Sequence, residues 1–397
     1  LIVSRGLGDV YKRQIQHGHL SQNKEIFMTD GLNMSRRLRR TAYTKNVEAA
    51  GVSGYSIVNH MLLPKGFQKT VEEDYWHLRE HVQIWDVSCQ RQVEISGPDA
   101  EKLIQMMTPR KISTATIGDC YYLPIIDENA GMINDPVMLK IGDDKFWLSV
   151  ADSDVLLYAK GIALGSKMDV TVSEPDVSPL AIQGPKAEQL ITKIFGEQIK
   201  HIGFFKFGWI EFKGTQQLIA RSGYSRQGGF EIYLQNSKLG SDLWDTIWEA
   251  GIEFNISPGC PNLIERIEGG LLSYGNEFTR ENNPLEIGLG KFCSLDGSVD
   301  YLGRAALEKI ASKGATKEIR GVIFGGDKCP TCSLPWPVIV ENKNIGQITS
   351  AIWSPRLKKN VGLSLIDQKY WSAQQTVEVH CQDNKIRSGE ISCLPFS

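Results

Sequence analysis

No apolar run in this chain approaches the length that spans a bilayer, which excludes a helical membrane protein as its reading. Neither sign of charge is in excess. The 44 basic residues are balanced by 46 acidic ones, so no general attraction to nucleic acid or to an anionic membrane is expected, and small neutral or mixed-charge ligands fit better. Eight cysteines (Cys89, Cys120, Cys260, Cys293, Cys329, Cys332, Cys381 and Cys393) lack the spacing of a disulfide framework and suit a reducing cytoplasm. Cys329-Pro330-Thr331-Cys332 has no second pair near it and no strand-to-helix setting, so it reads as loop sequence. The seven histidines are dispersed and none forms HExxH. Gly6 with Gly8, and Gly325 with Gly326, lack the strand and helix that make a glycine loop bind phosphate. Metal and dinucleotide chemistry are therefore not expected.

Residues 1–33 show neither helical nor strand periodicity and lack the apolar core and small-residue site of a secretory signal. They are expected to be a non-native or disordered leader, the protein proper starting near Met28 or Met34. Arg36, Arg37, Arg39 and Arg40 read as a solvated arm, with a grip on an anionic ligand tail as the alternative. The length exceeds one ordinary core, so two or three domains are expected.

What the chain does contain is a segment written twice. Val93 to Ile104 and Leu180 to Ile191 share Ile, Gly, Pro, Ala, Glu, Leu and Ile in register, and Gly97 and Gly184 stand 87 positions apart. Each copy predicts a strand, a Gly-Pro turn, and a helix that the proline enters and an acid opens. Two such units pack face to face, and the seam between them is the first place to seek a ligand cavity.

Around the copies, spacing predicts a helix over 66–81 and a strand over 83–87. Strands follow over 121–126, 133–141 and 145–150, with a turn at Asn129-Ala130-Gly131, and then a helix over 153–164. After the second copy come strands over 204–212, 217–222 and 230–234 and a helix over 239–250, the same order of elements. A helix over 261–273 is expected to start at Pro261 and stop near Gly275. From about Ile319 short alternating strands between Gly, Pro, Asn and Asp predict an all-β barrel or sandwich module.

Each half also sets a tyrosine and a carboxylate on short strands beside glycine turns: Tyr121-Tyr122 ahead of Gly131 to Asp135, and Tyr224 ahead of Gly228 to Tyr233 with Glu231. A flat heterocycle could approach the backbone closely there. Turn capping by Asp135 and Glu231 is the plain alternative.

Over roughly residues 35–380 the chain resembles the aminomethyltransferase (glycine cleavage T-protein) superfamily of tetrahydrofolate enzymes. The matching stretches are Ile84 to Ser88, Arg221 to Tyr224 through Gly229-Phe230-Glu231, Glu265 to Leu271 running into Tyr274-Gly275-Asn276-Glu277, Gly303 to Leu307, and Gly346 to Ser350 with Ser354-Pro355. Within it, Ser35 to Thr41, Val47 to Val52, Asn59 to Pro64, Met106 to Arg110, Cys120 to Tyr122, Glu174 to Pro179 and Cys260 to Arg266 resemble the dimethylsulfoniopropionate demethylases. Gly223-Tyr224-Ser225-Arg226-Gln227 stands where T-proteins typically carry Gly-Tyr-Thr-Gly-Glu, a departure that counts against glycine cleavage.

The resemblance implies an α+β, three-domain, cloverleaf-like folate-binding fold with a C-terminal β-barrel. Residues 35–82 and 178–285 would form the folate domain, 83–177 a second α+β domain, and 286–397 the β-rich domain. It implies methyl transfer from dimethylsulfoniopropionate to N5 of tetrahydrofolate, giving 5-methyltetrahydrofolate and methylmercaptopropionate. Asp135 would be catalytic, near N5. Glu231, Tyr224, Tyr233, Arg266 and Glu268 would bind the folate co-substrate, and Tyr122 and Tyr233 the donor. An ordinary ion pair is the alternative for Arg266. The expected partners are the sulfonium and folate, with no metal, nucleic acid or membrane, and a homodimer is left open. An aminomethyltransferase or N-methyl demethylase, and a folate-binding protein without activity, are the competing readings. Retention of both Asp135 and Glu231 argues against the last.

Overall fold

The two sequence copies form the same local structure, the repeated glycine being held against a backbone carbonyl in each. In the computed structural model, which describes residues 35–396, strand Arg91–Ser96 turns at Gly97-Pro98 into helix Ala100–Met107, and strand Val177–Gln183 turns at Gly184-Pro185 into helix Ala187–Phe195. Gly97 and Gly184 have φ of 125° and 118°. A Cβ there would lie 2.6 Å from the Asp169 carbonyl oxygen and 2.4 Å from that of His81, so only glycine fits. The prolines stay in the turns, each helix beginning two residues later. The leader expected over 1–33 lies outside the described residues.

Five strands form one sheet in the order Thr171–Ser173, Arg91–Ser96, Lys145–Val150, Val137–Gly142, Cys120–Tyr122. Six form another in the order Phe207–Phe212, Thr215–Ala220, Gly229–Gln235, Val177–Gln183, Val82–Asp86, Ile256–Pro258. Each has its own apolar core. Helix residues Leu103, Ile104 and Met107 pack with Val93, Ile95 and Leu148 on the first, while Leu190, Ile191, Leu243 and Ile247 pack with Ile182, Phe230 and Ile232 on the second. Burying each such side chain contributes about 1.5–3 kcal/mol before the entropy cost.

The halves exchange strands. Val82–Asp86 leads into Arg91–Ser96 yet pairs antiparallel with Val177–Gln183, Leu180 opposite Asp86. Thr171–Ser173 leads into Val177–Gln183 yet pairs with Arg91–Ser96, Thr171 opposite Ser96. The domain border expected at 82/83 therefore cuts a strand of the six-stranded sheet, and the one at 177/178 cuts another.

Prolines divide two expected strands. Residues 121–126 form Cys120–Tyr122 and Ile125–Ile126 around Pro124, and 133–141 form Met132–Asn134 and Val137–Gly142 around Pro136. Proline has no N–H to give a ladder, and the break frees Asp135 from sheet pairing. The helix expected over 261–273 is shorter, Leu263–Glu268. Asn262 caps it, its Oδ1 accepting from the N–H groups of Ile264 and Glu265 at 3.0 and 3.3 Å, and Gly269 with Gly270 at φ 64° ends it.

The C-terminal module is a closed barrel in the order Lys317–Phe324, Lys359–Asp367, Lys343–Ser354, Trp336–Val340, Thr376–His380, Ile386–Ser392. Closure leaves no open sheet edge. Val322, Phe324, Trp336, Val338, Ile348 and Val379 fill it. The architecture is α+β, as expected. Among the described residues no helix is long and apolar enough to cross a membrane.

Candidate functional site at the seam

The two sheets meet at residues that correspond in the repeat. Asp119 and Lys206, again 87 positions apart, form an antiparallel bridge, with Cys120 N–H donating to the Phe205 carbonyl at 2.9 Å and Phe207 N–H to that of Gly118 at 2.8 Å. Contact between equivalent positions is what an approximate two-fold axis produces. Cys120, Leu139, Trp147, Phe207, Leu218, Ala220 and Tyr233 close a small core beside it, Trp147 and Tyr233 having ring centroids 6.4 Å apart.

On one side of this seam lies Asp135. Tyr122 donates its hydroxyl to Oδ2 at 2.6 Å, while Oδ1 is buried without a partner among the described residues. Both amide atoms of the wholly buried Asn134 also lack partners there. Buried polar groups are normally satisfied, so these three unpartnered atoms on consecutive residues single out Asn134-Asp135 as a candidate ligand contact. Burial, against the Tyr122 bond and with a smaller push from the Glu277 charge, raises the Asp135 carboxyl to about 7. Tyr122 meets Phe292 edge-on, centroids 5.6 Å apart, in an apolar wall that includes Leu272, Tyr274 and Phe278.

Tyr224 stands close enough to Asp135 to feel its charge and close enough to Tyr122 to influence it, and donates to the Leu272 carbonyl at 2.5 Å. Behind it Arg266 is buried against Glu277, Nη1 to Oε2 at 2.7 Å, with Nη2 on Ser350 at 2.7 Å. Glu268 accepts from Tyr75 at 2.9 Å, Ser354 at 2.5 Å and Arg356 at 2.9 Å. Arg266 and Glu268, both expected on the folate side, thus brace helix Leu263–Glu268 against the barrel, Arg266 behind Tyr224 and Glu268 among Tyr75, Ser354 and Arg356. Gln227, which stands in the divergent motif, donates to Glu265 Oε1 at 2.7 Å.

Glu231 and Tyr233 follow from the alternation of strand Gly229–Gln235. Phe230, Ile232 and Leu234 enter the sheet core, so Glu231 and Tyr233 take the other face. Glu231 lies opposite Ala181 and Ala220, whose methyl groups leave space beside it. The Ser222 hydroxyl donates to its Oε2, and burial raises its carboxyl above the ordinary range. Tyr233 belongs to the seam core, packed on Trp147. Cys120, whose thiol feels the Glu231 charge, and Tyr122, which bonds Asp135, are two apart on one strand and share a face. Strand Cys120–Tyr122 thus connects the two acid clusters.

Among the described residues no cation pairs with Asp135 or Glu231, whereas buried Glu268, Glu277 and Asp127 have Arg356, Arg266 and Arg280. Buried Asp86 also lacks a cation, but Thr41 and the Ser88 N–H occupy both its oxygens. Sequence reasoning missed Asn134, Ser222 and Glu277. Ser222 and Glu277 lay in recognised motifs without being assigned a role, and nothing in an Asn before an Asp reveals an unpartnered amide.

A duplicated α+β body with unpaired acids at its seam, followed by a closed barrel, defines a class of protein. The chain belongs to the glycine cleavage T-protein family. Residues 43–297 match its GCVT N-terminal domain and 322–397 its C-terminal barrel domain. It is similar to the dimethylsulfoniopropionate demethylase of Ruegeria pomeroyi, 48% identical over 349 residues, 88% of this chain and 95% of that one. An aminomethyltransferase of Bacillus cereus is 32% identical over 333 residues, 82% of this chain and 89% of its own. The solved glycine cleavage system aminomethyltransferase T of Bartonella henselae shares the fold, with a TM-score of 0.80 at 20% identity over 91% of this chain and 98% of that chain.

Proposed function

We propose that the chain is a methyltransferase that moves a methyl group from dimethylsulfoniopropionate to tetrahydrofolate, leaving methylmercaptopropionate. The similarity to the Ruegeria demethylase supports the donor. The observation that carries the reading is Asp135, with one oxygen held by Tyr122 and the other buried without a partner among the described residues.

These residues fit a flat heterocycle with polar edges. Asn134 offers a donor and an acceptor, Asp135 an acceptor, and the tyrosines a wall. Glu231 would hold the amide and amino edge of the pterin through charge-assisted bonds, with Ser222 orienting it. Tetrahydrofolate supplies the nucleophilic nitrogen that accepts the methyl group.

The chain's own contribution is alignment and proton handling. A sulfonium already carries an activated leaving group, so positioning at near-attack distance is the main task. Aromatic faces at Tyr122 and Tyr224 attract such a soft, weakly hydrated cation. Asp135, raised to about 7, changes charge near neutrality, which suits a group that takes up the proton released during transfer. Arg266 and Glu277 hold the wall behind Tyr224. The eight free thiols support a reducing cytoplasmic setting.

Incubating purified protein with tetrahydrofolate and dimethylsulfoniopropionate should give 5-methyltetrahydrofolate, detected by mass. Transfer only from an amine or an aminomethyl-lipoyl protein would overturn the choice of donor, and binding of folate with no transfer from any of the three would overturn the enzymatic reading.

A further inference from the structure

Thr108-Pro109-Arg110 closes the turn after helix Ala100–Met107. The Thr108 hydroxyl donates to the Pro124 carbonyl at 2.7 Å and accepts the Arg110 N–H at 3.2 Å, which fixes where Arg110 leaves the backbone. Its Nη1 donates to the carbonyl oxygen of Tyr122 at 2.7 Å. The guanidinium carbon lies 4.2 Å from the Tyr121 ring centroid and 4.9 Å from that of Phe292, the ring that meets Tyr122 edge-on. Arg110 is thus held by one backbone bond and two aromatic rings at the rim of the Tyr122 and Asp135 cluster.

Among the described residues this cation is half-buried and has no carboxylate partner. Burial lowers its affinity for its proton, and no carboxylate among the described residues offsets that cost. Arg266, Arg91 and Arg280 each have one, in Glu277, Glu174 and Asp127. A guanidinium has five N–H donors in a planar fork suited to a carboxylate, and one of Arg110's is engaged by the protein among the described residues.

We propose that Arg110 binds the carboxylate of the methyl donor and so selects for an acid. The proposal rests on the demethylase reading and deepens it. The donor is a zwitterion with its cation and anion separated by two methylene groups. The site is its complement: Asp135 and the Tyr122 face take the sulfonium end, and the Arg110 fork takes the carboxylate end. Both sets of groups are joined through Tyr122, whose hydroxyl bonds Asp135 and whose carbonyl bonds Arg110. Folate also ends in carboxylates, and the test separates the two.

The test compares donor KM and tetrahydrofolate Kd in the wild type, R110Q and R110K, and the wild type's kcat/KM for dimethylsulfoniopropionate and its carboxamide, which keeps the sulfonium and lacks the anion. Loss of one charged bond should raise donor KM about tenfold or more in R110Q, with R110K intermediate and folate Kd within about twofold. The wild type should prefer the acid over the carboxamide, and R110Q should lose that preference. An unchanged donor KM in a folded R110Q overturns the proposal, as does a loss of folate affinity in place of donor affinity. Should R110Q fail to fold, the wild type decides: equal kcat/KM for acid and carboxamide overturns the assignment, and a preference for the acid that R110K weakens supports it. No methyl transfer from dimethylsulfoniopropionate by the wild type defeats the functional reading itself, and the proposal with it.

Discussion

Tyr122 donates a 2.6 Å hydrogen bond to Asp135, yet the carboxyl remains raised to about 7, because the water lost on burial outweighs the bond gained. The pairing orients one oxygen without fixing the group's charge. A firmly ionised carboxylate would accept the released proton less readily than one whose affinity lies near the working pH.

Asp135→Asn keeps an oxygen for Tyr122 but cannot take up a proton. Turnover should fall by about 10²–10⁴ while folate affinity changes little. Single-turnover kinetics beside equilibrium binding make the comparison, and an equal loss in both would move Asp135 from chemistry to binding.

The same residue predicts how stability varies with pH. Its folded-state pKa, about 7, exceeds the unfolded value of about 3.9, so the native state binds more protons between the two. Its contribution is present below the unfolded value and is lost as pH rises through about 7. Melting of wild type and Asp135→Asn from pH 4 to pH 8.5 should show the variant gaining on the wild type with rising pH. A constant gap would count against the shift.

Glu231→Gln retains shape and the Ser222 contact but removes the charge. Folate Kd should rise about tenfold or more if the carboxylate grips the pterin edge. An unchanged Kd would place Glu231 outside the pterin contacts.

Arg266→Met leaves Glu277 buried without its counter-ion, and should cost about 3–5 kcal/mol in denaturant unfolding. Burial is what mainly raises Asp135, and Glu277→Gln removes the smaller push that a negative charge adds, so the acid limb of the pH–rate profile should move slightly to lower pH. A limb that stays in place would mean that Glu277 does not act on Asp135.

Local pattern carried much of the fold. The strand, Gly-Pro turn and helix of each copy, the alternating strands of the barrel and the turn at Asn129-Ala130-Gly131, where Ala130 adopts φ 67°, are written in residues a few positions apart, although the carbonyls that hold Gly97 and Gly184 come from distant Asp169 and His81. The strand exchange was not legible, because Val82–Asp86 pairs with a partner about a hundred positions on, and nothing in its own residues distinguishes that partner from the adjacent strand. The site divided in the same way. Asp135 and Glu231 stand out beside glycine turns, but the roles of Arg266 and Glu268 depend on Ser350, Ser354 and Arg356, which the barrel brings from far along the chain.

The crossed arms at Val82–Asp86 and Thr171–Ser173 make each half the keeper of a strand in the other's sheet. A gene cut between the halves would yield two polypeptides, each short of one strand of its sheet and exposing a sticky flank. Expressed singly they should clump, whereas co-expressed they should find each other and regain one cooperative melt. The ancestral doubling is then most simply pictured as the fusion of a pair already locked in an embrace.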